Sequence, residues 1–231
     1  MTAQPPIAVD IWSDIACPWC YIGKRKFEAG LAEFREQHAD APAVEVTYHS
    51  FELSPDTPVD FTGSTTEFLA ERKGMPVEQV EQMLERVTGI AASVGLDYDF
   101  DSVVHINTLR AHQVIHHAKA HGKQAEAKER LLRAYFVEGK NLSDVDELAA
   151  LAAETGLDAE EVAADLRADR WADDVQADIA KARAYGIQGV PFFVLDEKYG
   201  ISGAQESTAF AQALGQVATE RGTDDATRAD A

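Results

Sequence analysis

The chain is poor in cysteine, in basic residues and in long apolar runs, and each shortage removes a class of protein. Only 2 of its 231 residues are cysteine, and both fall in one Cys-x-x-Cys. A secreted domain stapled by disulfides needs more cysteines at wider spacing. A pair this close also closes too little chain to stabilise a fold. Lys and Arg total 21 against 40 Asp and Glu, which leaves a formal net charge of −19 and a pI near 4.6. A field of that sign repels phosphate backbones, so nucleic acid is not an expected partner. No apolar stretch approaches the length that a bilayer span needs, so no membrane is expected either. The opening Met1-Thr2-Ala3-Gln4-Pro5-Pro6 lacks the basic and apolar regions of a secretory leader, which points to a cytoplasmic location. Repeats and Gly/Ser-rich linkers are absent, and 45% hydrophobic content over this length suits one large domain or a compact domain with a substantial insertion.

What is present alternates in character. Ile7 to Trp12 is short, apolar and rich in β-formers, and reads as a buried strand. After a brief turn, Pro18 sits just inside a helix start, where its missing N–H costs nothing, and Tyr21, Ile22, Phe27, Leu31 and Phe34 carry the helix to about Gln37. Val44 to Phe51 alternates as a second strand. From Ser64 to about Tyr185 the pattern is helical. Ser64-Thr65-Thr66-Glu67 is a capping box, Val77 to Val94 has three-four spacing closed by Gly95, and Asn107 is placed to cap a helix reaching Gly122. Further helices are predicted around Leu131–Phe136, after Ser143-Asp144, from Asp158 to Leu166, and from Trp171 to near Gly186. Strands return at Val190–Leu195 and Tyr199–Ser202, joined as a hairpin, followed by a helix over Gln205–Val217 and a polar, frayed tail from Thr219.

Removing the helical block leaves the order of a thioredoxin fold. The fold class expected is therefore α/β, thioredoxin-like with a large all-helical insertion. Residues 1–60 and 172–231 would form the thioredoxin-like domain and 61–171 the inserted helical domain, docked beside the sheet and not tethered to it.

The pair Cys17-Pro18-Trp19-Cys20 stands where this order places a helix N-terminus after a strand. Unpaired N–H groups and the helix dipole there stabilise a thiolate, the species that attacks disulfides. Cys17 is the expected nucleophile. Cys20, one turn on, is the expected resolving group, with Pro18 and Trp19 tuning the pair and Trp19 exposed to substrate. A zinc half-site would need a second cysteine pair or a spaced histidine pair, and inert core cysteines would not need a strand–turn–helix setting. Gly189-Val190-Pro191, far along the chain, precedes the return strand. In this fold it faces the start of the active-site helix, and a cis Pro191 would present the backbone of Val190 to an extended substrate. A trans proline opening a strand is the plainer alternative.

Five of the 7 histidines lie between His105 and His121. His112/His116 and His117/His121 have helical metal-compatible spacing. No carboxylate or cysteine is near them in sequence, so they read as surface and packing residues and no metal is expected. His112 is singled out as a group facing substrate and assisting proton transfer. Asp14 offers either a proton acceptor for Cys20 or a turn residue. Trp12 is expected in the core, and Phe192 and Phe193 on opposite faces of the sheet.

The segments Asp14–Gly23, Phe51–Pro55, Asn107–His112, Tyr135–Gly139 and Gly189–Phe193 together resemble the DsbA-like branch of the thioredoxin superfamily, and within it the FrnE-like proteins. The resemblance implies disulfide reduction or isomerisation, with Cys17 as nucleophile, Cys20 as resolver and Pro191 in cis. It implies no bound cofactor beyond the redox-active Cys17–Cys20 pair, with glutathione or another thiol as candidate reductant. A disulfide-containing protein or a small thiol is the implied substrate, and a homodimer is compatible. Related 2-hydroxychromene-2-carboxylate isomerases and kappa-class glutathione transferases carry a serine at the position of Cys17 and no match to Cys20. This chain departs from them at both places. A redox-regulated chaperone-like binding module is the further alternative. The second cysteine motif of some FrnE-like proteins is missing here.

Overall fold

A computed structural model describes residues 5–58, 61 and 63–229. Positions 1–4 of the opening segment, and residues 59, 60 and 62 beside the expected domain boundary, lie outside the described residues. Among the described residues, four strands form one sheet: β1 (Ile7–Ser13), β2 (Val44–Ser50), β3 (Phe192–Leu195) and β4 (Tyr199–Ser202), in the order β2-β1-β3-β4. β1 and β2 are parallel, with Ile7 opposite Val44 and Trp12 opposite His49. β3 runs antiparallel to β1 and β4 antiparallel to β3. The long helix α1 (Pro18–Gln37) makes the parallel crossover.

The alternation along β1 divides the molecule. Ile7, Val9 and Ile11 point to one face together with Phe193 and Leu195, under α1 and the C-terminal helix α9 (Ser207–Ala229). Phe193 packs between Phe27 and Phe210, with ring centroids 5.6 and 4.7 Å away. Truncating such a ring costs about 3–5 kcal/mol. The two helices approach closely at Gly30, where a Cβ would fall 2.4 Å from the Ser207 carbonyl oxygen and 2.7 Å from the Cβ of Phe210. On the other face Trp12, fully buried, packs with Val194, Ala182 and Ile187, and Phe192 joins it there. Phe192 and Phe193 do take opposite faces.

Between β2 and β3 the chain forms α2 (Thr65–Lys73), α3 (Val77–Ala92), α4 (Leu109–Ala120), α5 (Gln124–Phe136), α6 (Val145–Ala153), α7 (Ala159–Arg167) and α8 (Ala172–Ala184). The Ser64–Glu67 capping box forms in both directions, and Asp144 and Asp158 cap α6 and α7. One hydrophobic cluster runs from Ile7 and Val9 of the sheet through Ile22 of α1 to Leu131, Leu132 and Leu148 of the helical block. The block is thus docked onto the sheet domain through a shared core.

Beyond shifts of one or two residues, three places depart from expectation. Thr108 takes the N-cap position of α4 without a side-chain cap bond, while Asn107, one position earlier, still serves the helix start: its Oδ1 accepts from the Leu109 N–H at 3.0 Å and its Nδ2 donates to the Thr57 carbonyl at 2.9 Å. The return strand starts at Phe192, after the proline, since Pro191 itself has no N–H to give a ladder. The tail from Thr219 continues as helix to Ala229. Its first turn is anchored: Glu220 accepts from Lys198 and Tyr199 at 2.5 Å each, and Arg221 reaches Asp196 and the carbonyls of Pro5 and Pro6.

Candidate active site

β1 delivers the chain to a turn, and Cys17 then takes the N-cap position of α1 with Pro18 at the first helical position. No side chain caps this end, so its N–H groups stay directed at the Cys17 region. Both cysteines are free thiols and buried. The Cys20 N–H donates to the Cys17 carbonyl at 3.0 Å. The Cys17 Sγ donates to the Val190 carbonyl at 3.5 Å, across 173 positions of sequence, and the Val190–Pro191 peptide is cis. Gly23 lets the proline approach α1: a Cβ there would lie 2.8 Å from the Pro191 Cγ. Trp19 remains 39% exposed.

Beneath the pair lie two ionisable side chains. Asp14 is buried; burial opposes its charge, but the His112 ring, at 3.2 Å, and the Leu53 N–H, at 2.8 Å, hold its carboxyl below the usual range. Asp14 also accepts from the Ala16 N–H at 3.4 Å, which makes it a turn-forming residue as well as a charge. Lys128 comes from α5 and is 2% exposed. Burial lowers its ammonium to about 8, while the Cys20, Asp14 and Cys17 charges favour the protonated form. Burial pushes the Cys20 thiol well up, the hydrogen bond and charge of Cys17 add to this, and Lys128 and an Asp14 backbone hydrogen bond oppose it.

The helical block grips α1 at two further places. Tyr98 donates its hydroxyl to the Pro18 carbonyl at 2.8 Å and stacks on Phe136. Glu129 accepts from Arg25, from Lys24 at 2.6 Å and from the Tyr21 hydroxyl at 2.6 Å, and burial notwithstanding, these bonds lower its carboxyl to about 2.

A cavity of about 720 Å³ opens over the pair. Cys17, Pro18, Trp19 and Val190 form one side, and Phe68, Phe100 and other apolar residues of the helical block form the other, with Arg72 and Lys73 in its wall. The expected grouping therefore holds in space for Cys17, Pro18, Trp19 and Val190, with Cys20 and Pro191 immediately behind them. His112 departs from expectation. It is 1% exposed, bound to Asp14, and does not line the cavity, because α4 presents it to the turn under Cys17. The histidine in the cavity wall is His105, whose pKa burial lowers to about 4.

Sequence reasoning passed over Lys128 and Tyr98. Lys128 carried a signal: it sits three, four and seven positions before Leu131, Leu132 and Tyr135, on the apolar stripe of α5. Tyr98 lies in a loop and carried none.

Residues 8–215 match the model of the DSBA-like thioredoxin domain. The chain belongs to this family. A probable DsbA oxidoreductase, SCO1869 from Streptomyces coelicolor, superposes with a TM-score of 0.84 at 41% identity, covering 91% of this chain and 89% of that one. A sequence relative in Bacillus subtilis (strain 168), the uncharacterized protein YwbO, is 29% identical over 90% of this chain and 96% of its own length. More distant DSBA-like folds include the cytosolic disulfide reductase DsbM from Pseudomonas aeruginosa with GSH, at TM-score 0.62 and 20% identity over 90% of this chain and 98% of that one. A 2-hydroxychromene-2-carboxylate isomerase, at TM-score 0.69 and 16% identity, covers 94% of this chain and 98% of its own. These last two share the thioredoxin-like fold with this chain. Among the described residues, no helix is long and apolar enough to cross a membrane.

Proposed function

We propose that this DSBA-like protein is a cytoplasmic thiol–disulfide oxidoreductase that reduces or isomerises disulfides through Cys17 and Cys20. The observation that carries the reading is the seat of Cys17: an uncapped helix N-terminus, 3.5 Å from the Val190 carbonyl, at the wall of a mostly apolar cavity. The Cys17 thiolate attacks one sulfur of a substrate disulfide. A Cys17–substrate S–S bond forms, the substrate S–S bond breaks, and the leaving thiolate takes a proton. Cys20, once deprotonated, attacks the Cys17 sulfur and expels the second substrate thiol. Two electrons pass to the substrate, and the pair is left as a disulfide for a thiol such as glutathione to reduce. Lys128 is the group beside Cys20 whose charge favours its thiolate. The half-buried Val190, in the cavity wall beside Cys17, offers a backbone edge for an extended peptide, and the apolar wall suits a hydrophobic residue beside the substrate cysteine.

Turnover of insulin and of glutathione disulfide by the wild-type protein, lost in Cys17→Ser, is the expected outcome. Isomerisation of a small aromatic acid that survives in Cys20→Ser, with no disulfide turnover in the wild type, would replace this reading with the glutathione-dependent isomerase alternative. Binding of unfolded chains with no turnover at all would replace it with the chaperone-like one.

A further inference from the structure

At the far end of α4, away from Cys17, the fold assembles a set of groups that the redox chemistry does not use. His117 on α4 and His121, the residue at its C-cap, are four apart, and α7 brings Glu161 to them from a distant part of the chain. One potential ligand atom from each of the three lies within 4.8 Å of the others. No carboxylate stands near these histidines in the sequence. The fold provides one.

Each ring has its Nδ1 engaged, and the two rings stack with centroids 4.4 Å apart and 20° between their planes. The Nδ1 of His117 meets Asp165 Oδ2 at 2.9 Å, and Asp165 is itself fixed by the Trp171 indole N–H at 2.8 Å. The Nδ1 of His121 meets the His117 carbonyl at 2.9 Å, so it must be the protonated nitrogen. A carboxylate on one ring and a carbonyl on the other fix the Nδ1–H tautomer in both, which leaves each Nε2 with a free lone pair. His117 is 1% exposed, and its Nε2 is buried without any hydrogen-bond partner. Buried ring nitrogens are normally satisfied, so this one asks for a partner. Opposite it, the His121 Nε2 lies 3.9 Å from Glu161 Oε1, and these two side chains are 42% and 56% exposed.

We propose that His117, His121 and Glu161 bind a divalent transition-metal cation of the zinc type, with Asp165 as the positioning residue behind His117. Two imidazoles and one carboxylate are a borderline-soft donor set, and water completes a tetrahedron. Tetrahedral ligand atoms around zinc stand about 3.3 Å apart, closer than here. Binding requires the exposed His121 ring to turn out of its stack on His117, so that the two Nε2 lone pairs converge, and Glu161 to close inward, while the buried His117 stays in place. The bound ion clips α4 to α7 inside the helical block.

The test uses tag-free protein with Cys17 and Cys20 oxidised to their disulfide, or the Cys17→Ser/Cys20→Ser double variant, so that the thiols take no metal. Zn²⁺ is titrated against a chromophoric chelator, and Co²⁺ is added to record its visible ligand-field spectrum. Equimolar Zn²⁺ binding is expected, with a tetrahedral Co²⁺ spectrum and a raised melting temperature. His121→Ala and Glu161→Gln, both at exposed positions, should each weaken binding at least tenfold, and Asp165→Asn should weaken it by about 10–100-fold. Absence of saturable binding in the parent, or undiminished affinity in either ligand variant, overturns the proposal.

Discussion

Replacing Lys128 by methionine separates stability from function in a way that the structure quantifies. The ammonium is 2% exposed, and burial brings it from 10.5 to about 8. At 1.36 kcal/mol per pH unit, holding it charged in the fold costs about 3 kcal/mol near neutrality. Methionine keeps the length and apolar stem but removes the charge, so Lys128→Met should stabilise the reduced protein in urea by up to about 3 kcal/mol at neutral pH. The sign can be followed with pH. A lysine whose folded pKa is depressed penalises the fold below that pKa, and the penalty is relieved as pH rises from about 8 towards 10.5. Wild-type stability should therefore gain over that window relative to the variant, and the two curves should converge. Turnover should move the other way. Lys128 is the charge that favours the Cys20 thiolate, and each pH unit by which that thiol rises removes about tenfold of the resolving species. Insulin reduction should slow about tenfold or more, with mixed disulfide accumulating. A variant that loses about 1 kcal/mol or more, where a gain is expected, and turns over at the wild-type rate would refute the reasoning.

Two further perturbations probe the frame around the pair. Glu129→Gln removes the anion shared by Arg25, Lys24 and Tyr21, leaving the buried Lys24 with Glu28 alone; a loss of about 1.5–3 kcal/mol in urea unfolding is expected, with the redox pair still competent. Asp178 accepts from the His49 and His116 rings and from the Ser50 N–H, and despite burial these bonds hold its carboxyl well below 3.8, while its partner His49 is held above 6.5 against burial by Asp10 and Asp178. The carboxylate stabilises the fold above about pH 4 and loses that contribution as pH falls. The histidine stabilises it below 6.5 and loses its contribution as pH rises through the raised value, so stability from this cluster should peak between the two. Asp178→Asn should flatten both limbs in urea titrations across pH.

Local signals in the sequence carried most of the frame. The apolar run from Ile7 marked β1, Ser64 and Glu67 marked the start of α2, and Pro18 marked the start of α1, because strands and caps are written within a few residues. Cys17 and Val190 were paired through the fold that the element order implied, and they do meet. What escaped was set by contacts between distant segments. α9 outran its apolar pattern because Arg221 and Glu220 are anchored by Asp196, Lys198 and Tyr199. His112 was drawn towards substrate by its motif, but Asp14, 98 positions earlier, holds it below the cavity. Tyr98 reaches Pro18 from a loop with no periodicity to announce it, and Glu161 reaches the α4 histidines only after α7 has packed.

The roles given to the two thiols are open to direct measurement. Cys20→Ser is incubated with a peptide disulfide, and the adduct is mapped by mass spectrometry after digestion. The account predicts a stable mixed disulfide on Cys17, discharged by added thiol, and no comparable adduct on Cys20 when Cys17→Ser is treated in the same way. An adduct that forms equally on Cys20 in Cys17→Ser, or a Cys20→Ser protein that traps nothing, would contradict it.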